Sequence, residues 1–167
     1  MRILITGITG RIGGNLAAQL VEQGHQVRGL VWPKDPRIEK FKDLDLELIE
    51  GSLTEYEDVQ KVCEGMDVIY HLGAAFQGGG PFQDTDYFDI NIRGTFHMLK
   101  AAEANKNLKQ FIFASTDAQY AKYPPEGMNK PITEDGMPIE ATGWYALSKS
   151  MGEELCNGYW RTSHLPV

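Results

Sequence analysis

Apolar residues fall along the chain in two alternating patterns. Short continuous runs come first: Ile3-Leu4-Ile5, then Val27 with Leu30-Val31, then residues 46–49, 66–71 and 111–114. Such runs are the signature of strands buried on both faces. Between them, apolar residues recur three and four apart: Ile12, Leu16, Ala17, Leu20 and Val21; Val59, Val62 and Cys63; Tyr87, Ile90, Gly94, Met98, Leu99 and Ala102. These predict helices over about 12–21, 55–63 and 84–104, and a last one begins near 141 or 142 and runs to 160. Strand and helix in strict alternation predict an α/β fold with a doubly wound parallel sheet.

Punctuation residues sharpen the boundaries. Gly24-His25 is a turn, Pro33 and Pro36 end the second strand, and Gly51-Ser52-Leu53 closes the third. Thr54 with Glu57 reads as a capping box opening the next helix. Residues 77–83 contain Gly78-Gly79-Gly80-Pro81 and read as a loop over a site, as does the proline-rich stretch 118–140. Asn91 falls on the apolar side of its helix and should bond to neighbouring strand ends, because a buried amide needs partners. His71, within a strand, reads first as a hydrogen-bonded structural histidine.

The first strand runs into glycines spaced by three: Gly7, Gly10 and Gly13. Gly7 suits a sharp strand-to-helix turn, Gly10 lets a pyrophosphate approach the backbone, and Gly13 lets the helix lie close to the strand. The helix N-terminus then offers free N–H groups to phosphate. A glycine turn without ligand fits this context less well, since a buried strand precedes it and an amphipathic helix follows. Dinucleotide binding is the expectation. An acid at the end of the second strand would hold the adenosine ribose of NAD. Val31 and Trp32 stand there instead, and the next acid is Asp35, past a proline. Arg11, Arg28, Lys34 and Arg37 are nearby cations for a 2′-phosphate. NAD and NADP both stay open.

Composition narrows the class. The 167 residues suffice for one domain with a full core, and 42% hydrophobic with 23% charged residues is ordinary for a soluble protein. A net charge of −7 argues against a broad nucleic-acid surface. No run is long enough to span a bilayer, and the N-terminus enters a strand directly, with no room for a signal peptide. Cys63 and Cys156 are too few for a disulfide framework or a zinc site. They read as free thiols in a reducing compartment, and the expected location is cytoplasmic.

The candidate chemistry lies late in the chain. Tyr145 and Lys149 share a helix face. A free tyrosine titrates near pH ~10, and an adjacent ammonium favours its phenolate. Such a phenolate takes a proton from an alcohol as hydride leaves the carbon. The hydroxyl of Thr116, at a strand end, could bond the same oxygen.

At this point the sequence resembles the extended short-chain dehydrogenase/reductases of the NAD-dependent epimerase/dehydratase group. The resemblance rests on Thr6-Gly7-Ile8-Thr9-Gly10-Arg11-Ile12-Gly13, His71-Leu72-Gly73-Ala74-Ala75, Asn91-Ile92-Arg93-Gly94-Thr95, Ser115-Thr116-Asp117 with Tyr120, and Tyr145 to Lys149. It implies a Rossmann-like fold and an oxidoreductase or epimerase acting on a hydroxyl or keto group of a nucleotide sugar or similar small molecule. Tyr145 would be the acid-base, Lys149 would bind the nicotinamide ribose, and Thr116 would orient the substrate. Gly7, Thr9, Gly10, Arg11, Ile12, Gly13, Trp32, Ser52, Leu53, Leu72, Gly73, Ala74, Asn91 and Lys149 would surround the cofactor. No metal site is expected. A homodimer through the helices near 84–104 and 141–160 is also implied.

Three departures qualify the resemblance. The family's acid at the second-strand end is absent, and Ser52 stands where an Asp is common. Thr116-Asp117-Ala118 lacks the Glu of the dehydratases, which favours a reductase, epimerase or dehydrogenase. The chain also stops at Val167, where a sixth strand and a C-terminal substrate domain would follow, so the expectation is a truncated single domain, 1–167, with little turnover. The rival readings are a non-catalytic NAD(P) sensor and a remnant acting by association.

Overall fold

The computed structural model describes residues 1–76, 82–120 and 139–167. Five parallel strands form one sheet: β1 (Arg2–Thr6), β2 (Gln26–Val31), β3 (Glu47–Glu50), β4 (Val68–His71) and β5 (Gln110–Phe113), in the order β3-β2-β1-β4-β5. The chain winds outward from β1 to β3, then returns to the other side of β1 for β4 and β5. The reversal opens a crevice between the C-terminal ends of β1 and β4, where open α/β sheets take ligands. The fold is Rossmann-like α/β.

The period-2 geometry of β1 explains the two cores. Ile3 and Ile5 point to one face, with Ile8, Ala17, Leu20 and Val27, where α1 (Arg11–Glu22) packs. Leu4 points to the other, with Val59, Val62, Met98, Leu99 and Phe111. That face is covered by α2 (Tyr56–Cys63), α4 (Gly94–Ala104) and α5 (Trp144–Ser163). Every strand pairing follows the hydrophobic runs.

Three boundaries differ from expectation. The helix predicted over 84–104 is not uniform: a single turn α3 (Asp84–Asp86) leads into a π-helical stretch, Tyr87–Arg93, before α4. Within it the N–H of Gly94 reaches back five residues to the carbonyl of Asp89, while the Thr95 hydroxyl takes the carbonyl of Asn91 at 2.6 Å. A side chain that claims a backbone acceptor competes with the α ladder. The wider turn puts Tyr87, Asn91 and Thr95, four apart, all on the buried side. Thr54 does not cap α2. Its N–H donates to the Ser52 hydroxyl at 3.1 Å, and its own hydroxyl pairs with the same group at 2.8 Å and donates to Glu55 at 3.3 Å, so the helix starts later, with Glu55 at the cap position. The capping box lies instead at Gln83 and Asp86. Finally, α5 starts at Trp144, because Gly143 adopts φ 85°.

The loops predicted over 77–83 and 118–140 fall largely outside the described residues; the flanks of the second meet at an antiparallel bridge between Tyr120 and Ile139. After α5, Leu165 is buried and the Pro166 carbonyl accepts the Phe111 N–H of β5 at 2.7 Å.

The close approach of α1 to β1 is testable at adjacent glycines. A Cβ on Gly13 would lie 2.4 Å from the Gly7 carbonyl oxygen and 2.7 Å from Ile8 Cα, both backbone. One on Gly14 would meet the end of the long Lys40 side chain at 2.9 Å, and the Ile8 carbonyl oxygen at an ordinary 3.5 Å. Gly13→Ala should cost roughly 1–3 kcal/mol in urea unfolding. Gly14→Ala should fall within about 1 kcal/mol of neutral, since alanine favours the helix.

Candidate functional site

The glycine turn is built as a cradle. Gly7 has φ 67°, and a Cβ there would sit 2.8 Å from Gly73 Cα, so β1 and β4 nearly touch. The Gly10 N–H closes the turn on the Gly7 carbonyl at 2.9 Å. No side chain caps the start of α1, so the first-turn N–H groups of Arg11, Ile12 and Gly13 are left to a ligand or solvent. Lys40 braces the turn from behind, donating to the carbonyls of Thr9 at 2.7 Å and Gly10 at 3.3 Å. Sequence reasoning did not single out Lys40, which lies some thirty residues away.

A cavity of about 660 Å³ opens beside this turn. Gly7, Thr9, Gly73, Ala74 and Ala75 form one wall, and Trp32, Asp35, Arg37, Ser52 and Leu53 the far end. The near rim is Phe82, Asp86 and Ile90. Seven of the residues expected around a cofactor thus line one space: Gly7, Thr9, Trp32, Ser52, Leu53, Gly73 and Ala74. Gly10, Arg11, Ile12 and Gly13 make the adjoining turn and helix start, Leu72 packs into the α1-side core, and Asn91 stands behind Ala75.

The acid passed over beyond the proline is part of this cavity. Asp35 is buried, and its carboxylate accepts from Arg37 through the backbone N–H at 3.0 Å, Nε at 2.8 and 3.1 Å, and Nη2 at 2.7 Å, as well as from the Thr9 hydroxyl. The Arg37 guanidinium holds the carboxyl well below the usual carboxylate range. Asp35 also caps the 3₁₀ turn Pro36–Phe41, and Lys34, at φ 60°, swings the chain inward. An Asp followed by Pro at a turn start was the available signal. Of the four cations expected at a 2′-phosphate, Lys34 and Arg37 line the cavity and Arg11 is exposed at the start of α1. Arg28 is turned away: it bonds Glu47 at 2.7 Å and the carbonyls of Val62 and Glu64 at 3.0 and 3.1 Å.

Behind the cavity runs a chain of buried polar groups. Thr95 gives its proton to the Asn91 carbonyl, so its oxygen must accept from His71 Nε2 at 3.0 Å. Nδ1 of His71 is then an acceptor, and Thr6 donates to it at 2.8 Å while accepting the Gly73 N–H at 3.0 Å. Each hydroxyl is used as donor and acceptor only if His71 is neutral with its proton on Nε2. Burial, with the Lys149 charge nearby, pushes the His71 pKa down to about 3. Asn91 exchanges two bonds with Ala75, at 2.7 and 2.8 Å, and donates to Ser148 at 2.9 Å. Ser148 in turn donates to the Tyr145 carbonyl at 2.8 Å. The strand-end bonding expected of Asn91 is present, and His71 is structural.

Tyr145, Lys149 and Thr116 do not line the 660 Å³ cavity; they stand on the β5 and α5 side of the same sheet edge. Lys149 is buried, its Nζ rests 3.8 Å from the centre of the Phe113 ring, and burial lowers its pKa to about 8. Among the described residues no hydrogen bond joins it to Tyr145, which is half-buried. Thr116 accepts the Ala118 N–H at 3.2 Å, which leaves its proton available. Next to them lies a residue the sequence did not flag: Gln119, buried, donating to Glu153 at 2.7 Å. Burial pushes both cysteine thiols up to about 12, so neither is a nucleophile. Among the described residues no cluster could hold a metal ion.

A parallel sheet that reverses over a glycine cradle, with a cavity at the reversal, defines the Rossmann class of nucleotide-binding domains. Within that class, the chain belongs to the NAD dependent epimerase/dehydratase family, whose pattern matches residues 3–167. It is 32% identical to GDP-mannose 3,5-epimerase 1 of Oryza sativa subsp. japonica, covering 95% of this chain and 42% of that protein. It is 31% identical to a UDP-N-acetyl-alpha-D-glucosaminuronate decarboxylase of Bacillus cytotoxicus, covering 95% and 50%. Among solved structures, UDP-glucuronic acid 4-epimerase from Bacillus cereus, in complex with UDP-glucuronic acid and NAD, superposes with TM-score 0.84 at 26% identity, over 99% of this chain and 54% of that one. A short-chain dehydrogenase/reductase superfamily protein from Agrobacterium tumefaciens with bound NAD gives 0.82 at 33%, over 99% and 47%. The chain spans about half the length of the relatives it matches.

The His71 network predicts an acid-side stability loss. The unfolded state binds a proton below about pH 6.5, whereas folded His71 resists it down to about 3. Within that window the unfolded state holds more protons, so stability falls as pH falls, by at most about 1.4 kcal/mol per pH unit from this residue. The difference in unfolding free energy between the parent and His71→Gln should shrink from pH 7 to pH 4; a constant difference would contradict a neutral buried His71.

Proposed function

We propose that residues 1–167 form the single NAD(P)-binding domain of an oxidoreductase or epimerase acting on a hydroxyl or keto group of a nucleotide sugar or similar small molecule. The observation that carries this reading is the cavity itself. Its wall is Gly7, Gly73 and the small Ala74, and a side chain on either glycine would crowd its neighbours. That wall suits a flat, elongated dinucleotide, with pyrophosphate at the uncapped start of α1 and adenosine towards Trp32, Ser52 and Leu53. The family and the two NAD-bound structures above support it.

In this reading the nicotinamide supplies hydride transfer, and the chain supplies the rest. Tyr145 takes or returns the proton at the substrate oxygen. Thr116 donates its free hydroxyl proton to the same atom and orients it. The Lys149 ammonium meets the ribose hydroxyls and favours negative charge on the Tyr145 oxygen. Asn91 holds the Ala74-Ala75 wall and, through Ser148, the backbone of Tyr145. Residues that select the substrate would lie in the half of the relatives that this chain does not span.

Two further parts of the reading have structural support. The π-helical stretch and α5 pack together, and Phe88, Phe96, Leu147 and Met151 leave an apolar face on this side of the molecule. That face suits a homodimer. Buried, unpaired Cys63 and Cys156 suit the cytoplasm.

At the adenosine end Asp35 is already neutralised by Arg37, whose guanidinium is 60% exposed. Calorimetric titration with NAD and with NADP should show binding of at least one; binding of neither would overturn the dinucleotide reading. Arg37→Ala should weaken NADP more than NAD, by about tenfold or about 1.4 kcal/mol. In the complete protein, Tyr145→Phe should lower turnover at least about a hundredfold while cofactor affinity holds. Unchanged turnover would remove Tyr145 as the acid-base, whereas cofactor binding with no turnover in the parent protein would favour the sensor reading.

A further inference from the structure

Two buried groups on the α5 side lack partners of complementary kind. The first is Lys149. Its ammonium carries three donors, yet its one described contact is the ring face of Phe113 at 3.8 Å, with no acceptor within bonding distance among the described residues. The second is Gln119. It is 1% exposed, and its Nε2 donates to Glu153 Oε1 at 2.7 Å. A carboxylate only accepts, so the amide orientation is fixed by chemistry, and Oε1 is turned away as a buried acceptor with no donor. Leaving such an atom unpaired is costly, which makes it a candidate for a partner that arrives.

Glu153 links the two. It lies one helical turn after Lys149 on α5, on the same face. Its carboxylate is anchored by Gln119 and forms no ion pair within 4 Å of Lys149 among the described residues. The groups that face the Lys149 ammonium are His71 from β4, Glu153 and Cys156 from α5, and the uncharged ring of Phe113 from β5. His71 is neutral in its network and the Cys156 thiol stays protonated, since burial pushes it up to about 12. Glu153 is then the one of these groups able to offset the charge of a buried ammonium.

We propose that Gln119 and Glu153 together form a holding pair for the Lys149 head group, which makes both of them positioning residues for Lys149. Gln119 fixes the carboxylate and offers Oε1 as acceptor. Glu153 supplies the opposite charge. The lysine can leave the Phe113 ring and extend along the sheet edge without giving up its charge partner. The inference rests on the functional reading only in taking Lys149 as part of the reacting site; the pairing stands on its own geometry.

The test is an NMR titration of lysine side chains in the 167-residue chain labelled with ¹³C and ¹⁵N, with the exposed Lys106 as internal control. Glu153→Gln keeps a partner for Gln119 and removes the charge. Lys149 should then lose its proton roughly one pH unit lower, with Lys106 unmoved. Gln119→Leu removes both the anchor and the free acceptor and should move Lys149 in the same direction by a smaller amount. Glu153→Asp, which keeps the charge, should restore most of the parent midpoint. A Lys149 midpoint unchanged in both Glu153→Gln and Gln119→Leu overturns the proposal. If Glu153→Gln does not fold, Gln119→Leu decides alone by the same readout. A shifted Lys149 in a chain that binds neither NAD nor NADP upholds the holding pair and defeats the cofactor reading instead.

Discussion

The structure depends on one steric constraint: the ends of β1 and β4 meet with no room for a side chain. A Cβ on Gly7 would fall within 2.8–2.9 Å of the backbone of Leu72 and Gly73. This contact lies at the reversal of the sheet, where the chain passes from the β2–β3 side to the β4–β5 side. Bare backbone on both strand ends lets the crevice open directly onto peptide groups. The same turn brings α1 in over Gly13, with its N-terminus at the crevice. Fold and site share this one close approach, because the side chains that would relieve it would also fill the cavity.

The polar chain behind the crevice does what apolar packing does elsewhere in the molecule. Thr6, His71, Thr95, Asn91 and Ser148 are all buried, and besides the local bonds of Thr95 to Asn91 and Ser148 to Tyr145 they bond from one element to the next. The bonds join β1, β4, the π-helical stretch and α5. Hydrogen bonds are directional, so this chain fixes how these elements are set against each other more sharply than contact between methyl groups would. The π-helical geometry belongs to the same arrangement, for it presents Asn91 and Thr95 to the buried side together.

Much of this was legible in the residues. Strands buried on both faces announce themselves as apolar runs, and the glycine spacing with a strand before and a helix after points to the cradle. Asn91 was legible because an amide among apolar positions has to be bonded. What escaped depended on partners distant in sequence or on local competition. Asp35 looked disqualified by Pro33, but the left-handed turn at Lys34 folds it back onto Arg37 and Thr9. Thr54 matched a capping pattern, yet its bonds go to Ser52 and Glu55 beside it. Arg28 had the right charge in the wrong direction, since alternate residues of a strand face opposite sides. Gln119 carried no pattern at all, because its partner is 34 residues away.

Charge placement ties the polar chain to the β5 and α5 side. The β4 and β5 ends hold His71 and Lys149 within electrostatic reach of each other in a space that excludes water. Two cations there would be repelled and poorly solvated, so at most one group can carry a proton's charge at neutral pH. The hydrogen bonds decide which. His71 is held neutral by a threonine on each nitrogen, and charging it would turn the Nδ1 acceptor into a donor facing Thr6, leaving the Thr6 hydroxyl proton without its acceptor. Lys149 has no such commitment: its ammonium sits over a ring, with a carboxylate one turn away. The site thus keeps its one buried positive charge on the longer, more mobile side chain. A side chain of that length can keep its charged end near Glu153 while its methylene stem stays in the apolar pocket.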